Sequence, residues 1–519
     1  LTIDSAAATL GGTIEVAGSI TLENSAGDEL AVTLVKDVSI TSTADGVINA
    51  GDTAINGAFD LEIVNVDGLV IIDEIGEADQ PTSVAITASS NIDVGAGADG
   101  DATILAAGDI TLTAAVSIDI NENATIESDL QDIVIFGTVN GTIGGNLTLA
   151  AEQGTVDLHG DIIVDGGLAI NADTLDLNDN ITTGATGVLL SGVHDINLTN
   201  DVVITSLGPI DLGSDNATNV NGDDRTLTLD AVGIISLDDV TVGTLTLLSG
   251  ASNELFGDIA IETPVDFSSA GTSTLGDNVT VTATDTAVDV IFGAVTATGN
   301  SVEGLTINAG DGDINMTGAI GATPIDHLIV SGDEINFLNT ITFNDNGILT
   351  VTGGGELGVV TFGNAITADD DLKVNITGHE IDFTTAAADI SGDDRIEINI
   401  TARDDIDLQQ ITLDDDARIT IIANGIDGGS LDLQGAIFAD DDALITLDSR
   451  GVNADLEIDF SIMANDDNEI KVSSDRDIDF SSGAGNINAG NQGVIILDAE
   501  RDILGDSTTG SEIIAFELH

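Results

Sequence analysis

The sequence predicts an all-β fold, a single long right-handed parallel β-helix (β-solenoid) that spans residues 1–519 as one continuous domain. Three observations predict it: a short motif recurs along the chain, Gly, Asp, Thr and β-branched residues are abundant, and only four Pro are present. This composition is typical of many short strands joined by tight turns. At about 23 residues per coil, the chain would form about 22 coils of triangular cross-section.

The recurring motif is an apolar residue, then Asp, Asn or a similar residue, then a second apolar residue. Its copies lie roughly 18 to 27 residues apart, or about twice that where one copy is degenerate. Because side chains alternate along a strand, the second apolar residue should face inward. The predicted interior column consists of Leu158, Leu177, Leu198, Leu237, Met316, Phe337, Phe383, Leu408, Leu433, Phe460 and Phe480.

Two further strands complete each predicted coil. A longer alternating run precedes the motif, as at residues 395–400, where Ile396, Ile398 and Ile400 should face inward. A third short strand follows the motif, as at residues 436–439. Right-handed winding is expected because crossovers between parallel strands are nearly always right-handed.

The charge balance excludes several classes of function. Ten Lys and Arg stand against 91 Asp and Glu, which gives a formal net charge of −81. Such a surface repels nucleic acid and anionic membranes, so neither is an expected partner. Membrane insertion is not expected either, because no run of apolar residues approaches the length of a spanning helix. The chain opens with Leu1 and shows no signal region, so we interpret it as a mature product or a piece of a longer chain.

Clusters of aspartate precede the long strand of successive coils, at a spacing that should stack them along one corner. We take these aspartates as candidate metal ligands: Asp369, Asp370, Asp371, Asp393, Asp394, Asp414, Asp415, Asp416, Asp440, Asp441, Asp442, Asp466 and Asp467. Carboxylates about 5 Å apart repel by roughly 0.9 kcal/mol per pair even at the dielectric constant of water. Two forms of compensation stay open: solvation with salt screening, and Ca²⁺ as a bound cofactor bridging neighbouring coils.

The residues that enzymes need are sparse. A β-helix enzyme that cleaves acidic polysaccharides needs Lys or Arg to bind its substrate, and this chain has three Lys and seven Arg. The five histidines are far apart in sequence, which argues against a metal or nucleophile site. We therefore predict no enzymatic activity. The alternative that stays open is a secreted β-helix protein that binds or cleaves polysaccharides.

Three segments carry a resemblance to a known family. Residues 107–112, 144–150 and 403–408 read Ala-Gly-Asp-Ile-Thr-Leu, Gly-Gly-Asn-Leu-Thr-Leu-Ala and Arg-Asp-Asp-Ile-Asp-Leu. In these units the chain resembles the repeats of filamentous-haemagglutinin-type secreted adhesins. The resemblance implies a long right-handed β-helix on a bacterial surface, and its motifs specify the solenoid and not a receptor. A cell-surface or carbohydrate receptor is a partner that we expect for such a protein. The resemblance identifies no functional residues, because the repeat of that family has none that are fixed.

The combined hypothesis is an extracellular structural protein that forms a rod or filament, such as a surface fibre or adhesin stalk. Neither residues 1–3 nor residues 512–518 look like a polar cap, since both continue ordinary strand sequence. Exposed strand edges promote further pairing. We therefore expect the partner to be a second copy of the chain, stacked head to tail.

Overall fold

The structure is a computed structural model with coordinates for the whole chain. It describes residues 1–26, 29–95, 101–141, 145–213, 218–299, 302–355, 358–424, 429–440, 442–451, 454–465, 468–480, 486–490, 493–505, 513–514 and 517–518. About 65% of the chain is strand, arranged as parallel β-solenoid coils with a spacing of about 23 residues and about 20 turns in all. The predicted fold class is confirmed.

Two compact units make up the chain: Leu1–Phe256, here unit 1, and Gly257–His519, here unit 2. The prediction of one uninterrupted domain over residues 1–519 stays a prediction. Within each unit, every strand pairing in the described residues is parallel, between strands of neighbouring coils. Each unit is therefore a parallel β-solenoid.

The strands of unit 1 are commonly long enough to turn a corner. Leu147–His159, for example, pairs through residues 147–151 with one stretch of Gly167–Leu177 and through residues 155–158 with another, with a register shift between them. The strands are Thr2–Asp4, Ala7–Val16, Ile20–Glu23, Leu30–Ser42, Gly46–Asn56, Leu61–Asn65, Gly68–Ile75, Val84–Ala88, Asn91–Val94, Ala102–Ala106, Ile110–Ile120, Ala124–Ser128, Ile133–Gly141, Leu147–His159, Ile162–Val164, Gly167–Leu177, Ile181–Thr183, Gly187–Leu198, Val202–Ser206, Ile210–Asp211, Asn219–Ala231, Ile234–Leu237, Asp239–Ser249 and Ser252–Leu255.

Unit 2 is built from three series of shorter strands. The motif series is an 11-stranded parallel sheet that consists of Val265–Asp266, Val290–Phe292, Ile314–Met316, Ile335–Phe337, Val359–Phe362, Glu380–Phe383, Ile406–Leu408, Leu431–Leu433, Leu456–Ile458, Asp477–Phe480 and Asp502–Gly505. The long-strand series contains Ile259–Ile261, Val279–Ala283, Leu305–Asn308, Lys373–Gly378, Glu397–Ala402, Arg418–Asn424, Leu444–Arg450, Glu469–Ser474, Val494–Ala499 and Glu517–Leu518.

The third series of unit 2 contains Thr272–Leu275, Val295–Ala297, Ile366–Thr367, Ile390–Gly392, Ile411–Leu413, Ile437–Ala439, Ile462–Ala464, Ile487–Asn488 and Ile513–Ile514. Two strands, Ile320–Gly332 and Ile341–Gly353, run through both the third series and the long-strand series. The one helical element in the described residues is the 3₁₀ helix Phe267–Ala270, whose N-terminal amide of Ser268 donates to the Asp266 carboxylate.

Inward-facing apolar side chains at matching positions of adjacent strands stack into interior columns. In the motif series Met316, Phe337, Phe362 and Phe383 are all buried, and the three phenylalanine rings stack with centroids 4.8 to 5.0 Å apart. Stacked aromatic pairs add roughly 0.5 to 1.5 kcal/mol beyond the area that they bury. The inward facing of Ile396, Ile398 and Ile400 in the long-strand series is also confirmed.

Five members of the predicted interior column are placed elsewhere. Leu158, Leu177 and Leu198 stack on one another in unit 1, on strands outside the motif series. Phe460 is 50% exposed, because register aligns Leu431 with Leu456 and Leu433 with Ile458, so that Phe460 lies beyond the end of its strand. Leu237 is buried but pairs with Leu255, in a different strand series from Leu198. An apolar-polar-apolar triplet suits every face of a solenoid, because all its strands have one buried and one outward side. The motif therefore predicts strands well but does not identify their series.

Candidate functional site: an acidic corner and an acidic face in unit 2

The aspartate clusters do stack where the chain turns from the third series into the long-strand series. The amide of Asp393 donates to the carbonyl of Asp369 at 2.7 Å, and the amide of Asp371 donates to the carbonyl of Asp394 at 2.9 Å. The amide of Asp414 continues the stack by donating to the carbonyl of Asp393 at 3.3 Å. We call this feature the acidic corner; its described members are Asp369, Asp370, Asp371, Asp393, Asp394, Asp414, Asp415, Asp416, Asp440 and Asp442. The candidates Asp441, Asp466 and Asp467 lie outside the described residues.

A column of left-handed residues explains the turn at the acidic corner. Asp371, Arg395, Asp416 and Asp442 have φ between 57° and 58°, and Asn346 precedes them with φ 65°. Aspartate and asparagine tolerate this conformation better than other residues with a Cβ atom, because their short polar side chains can hydrogen-bond locally. The corner is thus acidic partly because its backbone conformation favours Asp and Asn, although Arg395 also adopts it.

Charge at the acidic corner is only partly compensated within the chain. The Arg395 guanidinium donates to the Asp371 carboxylate at 2.5 Å. Desolvation by nearby atoms, together with the neighbouring charges of Asp370, Asp415 and Asp414, raises the pKa of the exposed Asp394. The donor set is made of oxygen atoms, which suits Ca²⁺. Among the described residues, however, no three His, Asp or Glu side chains converge closely enough to hold a metal ion.

A second line of carboxylates lies on the outward side of the motif series. Register places Asp382 beside Asp407, Asp407 beside Asp432, Asp432 beside Glu457 and Glu457 beside Asp479. We call these five residues the acidic face. They lie on adjacent parallel strands, about 4.8 Å apart along the line. All five are half-buried between neighbouring side chains.

Three members of the acidic face hold protons more tightly than free carboxylates do. Burial, followed by the charges of Asp432 and Asp382, raises the pKa of Asp407 to about 6. Burial also raises the pKa of Asp382 and, with Glu457 contributing, the pKa of Asp432. The Gln434 amide donates to one Asp432 oxygen at 3.0 Å, whereas the other oxygen is buried and accepts no hydrogen bond from the described residues.

This face was not identified from the sequence, although the signal was present. The middle residue of the motif is acidic in five successive coils, from Asp382 to Asp479. Its stacking becomes evident once register shows that all five strands are adjacent in one sheet.

The histidines do not form a catalytic cluster in the described structure. His159 stacks on the Phe136 ring with centroids 4.5 Å apart and lies 2.8 Å from the Asp157 carboxylate, while His327 lies 3.2 Å from the Asp326 carboxylate. No helix in the described residues is long and apolar enough to cross a membrane. No protein-family model, curated protein or solved structure matches this chain.

Chemically, the two acidic features can attract cations and share protons. The acidic face offers a continuous row of oxygen atoms without a cationic side chain among its five members. The acidic corner offers carboxylates with one arginine, Arg395, within the stack. Both features concentrate negative charge on the surface of a regular scaffold.

Proposed function

We propose that the protein is a non-enzymatic structural β-solenoid that acts outside the cell as a rod, stalk or filament subunit. The observation that carries this proposal is the uninterrupted stacking of the motif series, in which 11 strands of successive coils pair in parallel. Each coil adds one buried apolar layer and one set of hydrogen bonds, so a solenoid can gain length without a new fold. This architecture suits a function that requires an elongated molecule.

The acidic surface supports the same proposal. Strand-rich proteins risk aggregation through their edges and flat faces, and like charge opposes lateral contact. With a net charge of −81, two copies repel each other strongly when their sides approach. The acidic face places part of this charge on the flat surface of the motif series.

The proposal includes an adhesin-like role, based on the resemblance to filamentous-haemagglutinin-type adhesins. It also includes a cell-surface or carbohydrate receptor and head-to-tail contact between copies of the chain.

The proposal further includes Ca²⁺ bound at the acidic corner. If Ca²⁺ bridges the coils, chelation should lower the melting temperature by more than a matched change in ionic strength does. Full recovery of stability with Na⁺ at equal ionic strength would show that screening suffices.

Electron microscopy of the native material tests the structural role. Isolated rods or continuous fibres of uniform width are expected. Assays on acidic and neutral polysaccharides serve as the parallel test of the alternative function. Compact particles that cleave a polysaccharide would overturn the proposal.

A further inference from the structure

An apolar groove of about 380 Å³ lies on the outer surface of unit 1. Its floor follows an outward line of residues on adjacent strands, in which register aligns Ala169 with Leu189, Leu189 with Asp211, and Asp211 with Ser236. Ser236 in turn aligns with Glu254, which ends the line. The groove therefore runs across the strands, from coil to coil.

Glycines let neighbouring coils approach closely along this groove. Gly187 has φ 96°, and a Cβ atom there would lie 2.4 Å from the Pro209 carbonyl oxygen. A Cβ atom on Gly167 would lie 2.8 Å from the Thr186 Cβ atom. Because the coils approach so closely at these points, neither position accommodates a side chain. Ala169, the next outward residue, has a side chain too small to fill the groove.

The walls of the groove are unusually apolar for so acidic a protein. Leu189 is 49% exposed and Ile234 is 38% exposed. Outside the lining of the groove, Leu207 and Val232 occupy the turns that precede the Pro209 and Ile234 segments and are 64% and 65% exposed. Contiguous exposed apolar surface on a soluble protein commonly marks an interaction site.

Carboxylates lie at one end of this apolar surface. Asp211 and Glu254 both line the groove, and their polar contacts are weak or local. Asp211 accepts a hydrogen bond from the Gly213 amide at 3.0 Å, and Glu254 accepts one from the Ser236 hydroxyl at 3.5 Å. Each carboxylate therefore retains oxygen atoms that can pair with a cation.

We propose that this groove binds an extended basic peptide segment of a partner protein. Aliphatic side chains of the segment would fill the space over Ala169 and beside Leu189, and a Lys or Arg would pair with Asp211 and Glu254. The groove crosses six coils, from Thr148, which aligns with Ala169, to Glu254, so five inter-coil steps separate its ends by about 24 Å. An extended segment of about seven residues spans this distance. Charge complementarity selects a basic partner, since the net charge of −81 attracts cations over a long range and repels a second copy of the chain.

The test uses the full chain and a fluorescently labelled short peptide of alternating Leu and Lys, with fluorescence anisotropy as the readout. Control peptides alternate Leu with Glu, or Gly with Lys. Ala169→Phe fills the groove, and Ala85→Phe places the same side chain at an outward strand position elsewhere in unit 1. Asp211→Asn combined with Glu254→Gln removes two charges but keeps the acceptor oxygens. Glu15→Gln combined with Glu62→Gln is the matched control.

The Leu/Lys peptide should bind saturably, and Ala169→Phe should weaken it about tenfold or more, a loss of about 1.4 kcal/mol. Ala85→Phe should leave its affinity unchanged. The Asp211 and Glu254 double variant should weaken binding several-fold and reduce its salt dependence, whereas the Glu15 and Glu62 variant should not. The Gly/Lys peptide should bind weakly and ignore Ala169→Phe.

Equal affinity in wild type and Ala169→Phe would overturn the proposal, because binding would then reflect only the general negative field. Equal binding of the Leu/Glu peptide would also overturn it, since the groove would then select apolar side chains regardless of charge. Self-association of the wild-type chain that Ala169→Phe abolishes would identify a second copy as the occupant instead. None of these results depends on whether the protein forms rods.

Discussion

The acidic face and the long-strand series of unit 2 share one backbone design and differ in their outward side chains. The acidic face stacks Asp382, Asp407, Asp432, Glu457 and Asp479. The long-strand series stacks Lys373, Glu397, Arg418, Leu444 and Glu469 at equivalent outward positions. Charges of one sign therefore adjoin on the first line, whereas Glu397 lies between two cations on the second.

The consequence is visible in two carboxyl groups. Burial and acidic neighbours raise the pKa of Asp407 to about 6, whereas hydrogen bonding by Asn399, followed by the Lys373 contact, lowers the pKa of Glu397. The Asn399 amide also donates to Asn375 on the adjacent strand at 3.2 Å. Stacking therefore does not by itself destabilise a line of polar residues. The effect depends on whether the neighbouring side chains supply hydrogen-bond donors or only further negative charge.

The two series should respond alike when a charged residue replaces an inward-facing apolar one. Phe383→Asp and Ile400→Asp each place an unpaired charge in a fully buried column. Each should cost several kcal/mol, about 3 to 5, and disrupt the neighbouring coils. Thermal and urea unfolding would measure the loss. A near-normal unfolding curve for either variant would contradict the inward assignment of that residue.

Substitutions of outward-facing residues should change stability in opposite directions in the two series. Asp407→Asn removes a repelling charge and should stabilise the protein at pH 7 by about 1 kcal/mol; the raised pKa alone implies more, but partial exposure screens the effect. Asn399→Asp adds a carboxylate beside Glu397 and deletes an amide donor, so it should destabilise by about 1 kcal/mol. Effects of the same sign in urea unfolding would contradict the comparison.

The acidic face should also make stability depend on pH in an unusual direction. Because the pKa values of Asp382, Asp407 and Asp432 are raised, these carboxyl groups bind protons more readily in the folded state than in the unfolded chain. For Asp407 the difference falls between about pH 7 and pH 5. Acidification through this window should therefore stabilise the protein, and stability should fall as pH rises through about 6. Below about pH 4, the lowered pKa of Glu397 acts in the opposite sense.

Calorimetry at pH 7 and pH 5 at constant ionic strength would measure this effect. Asp407→Asn should show a smaller gain than wild type. An unfolding temperature that falls steadily from pH 7 to pH 5 would show that the acidic face is not the dominant pH-sensitive feature.

A substitution at the acidic corner should change stability by a similar amount, through the backbone and not through charge pairing on the faces. Asp416 has φ 58°, so Asp416→Val should destabilise by about 1 to 2 kcal/mol through backbone strain. Asp416→Gly should be neutral or stabilising by up to about 1 kcal/mol. Equal unfolding midpoints for the Val and Gly variants would indicate that the left-handed column does not exist in solution.

The smallest effect should come from the ion pair of the long-strand series. Lys373 Nζ lies 3.3 Å from Glu397 Oε2, with both side chains nearly half exposed. Lys373→Ala should therefore cost only about 0 to 1 kcal/mol, less in high salt. If Lys373→Ala lowered stability more than Asn399→Asp does, the Lys373–Glu397 ion pair would matter more than the Asn399 amide for the outward residues of the long-strand series.

Much of the fold could be predicted from the sequence because each strand carries its own local signal. Alternation identified the inward faces of residues 396–400, and coil-length spacing placed the aspartate clusters in one stack. Register between coils could not be predicted, because the same apolar-polar-apolar triplet suits all three series. Phe460 was assigned to the core for that reason, and the acidic face was not recognised. The groove over Ala169 gives no sequence signal, since it depends on how closely Gly167 and Gly187 approach their neighbours.

The central claim is that a regular solenoid carries like charge on its flat sides and so resists lateral contact. Electron cryomicroscopy of the purified chain at pH 7 and pH 5, at equal ionic strength, tests it most directly. At pH 7 we expect particles with coils about 4.8 Å apart that touch, if at all, end to end. At pH 5 Asp407 should be protonated, which weakens the repulsion at that position of the acidic face, while most of the other carboxylates keep their charge. Side-by-side bundles already present at pH 7, or particles without the coil spacing, would contradict the claim.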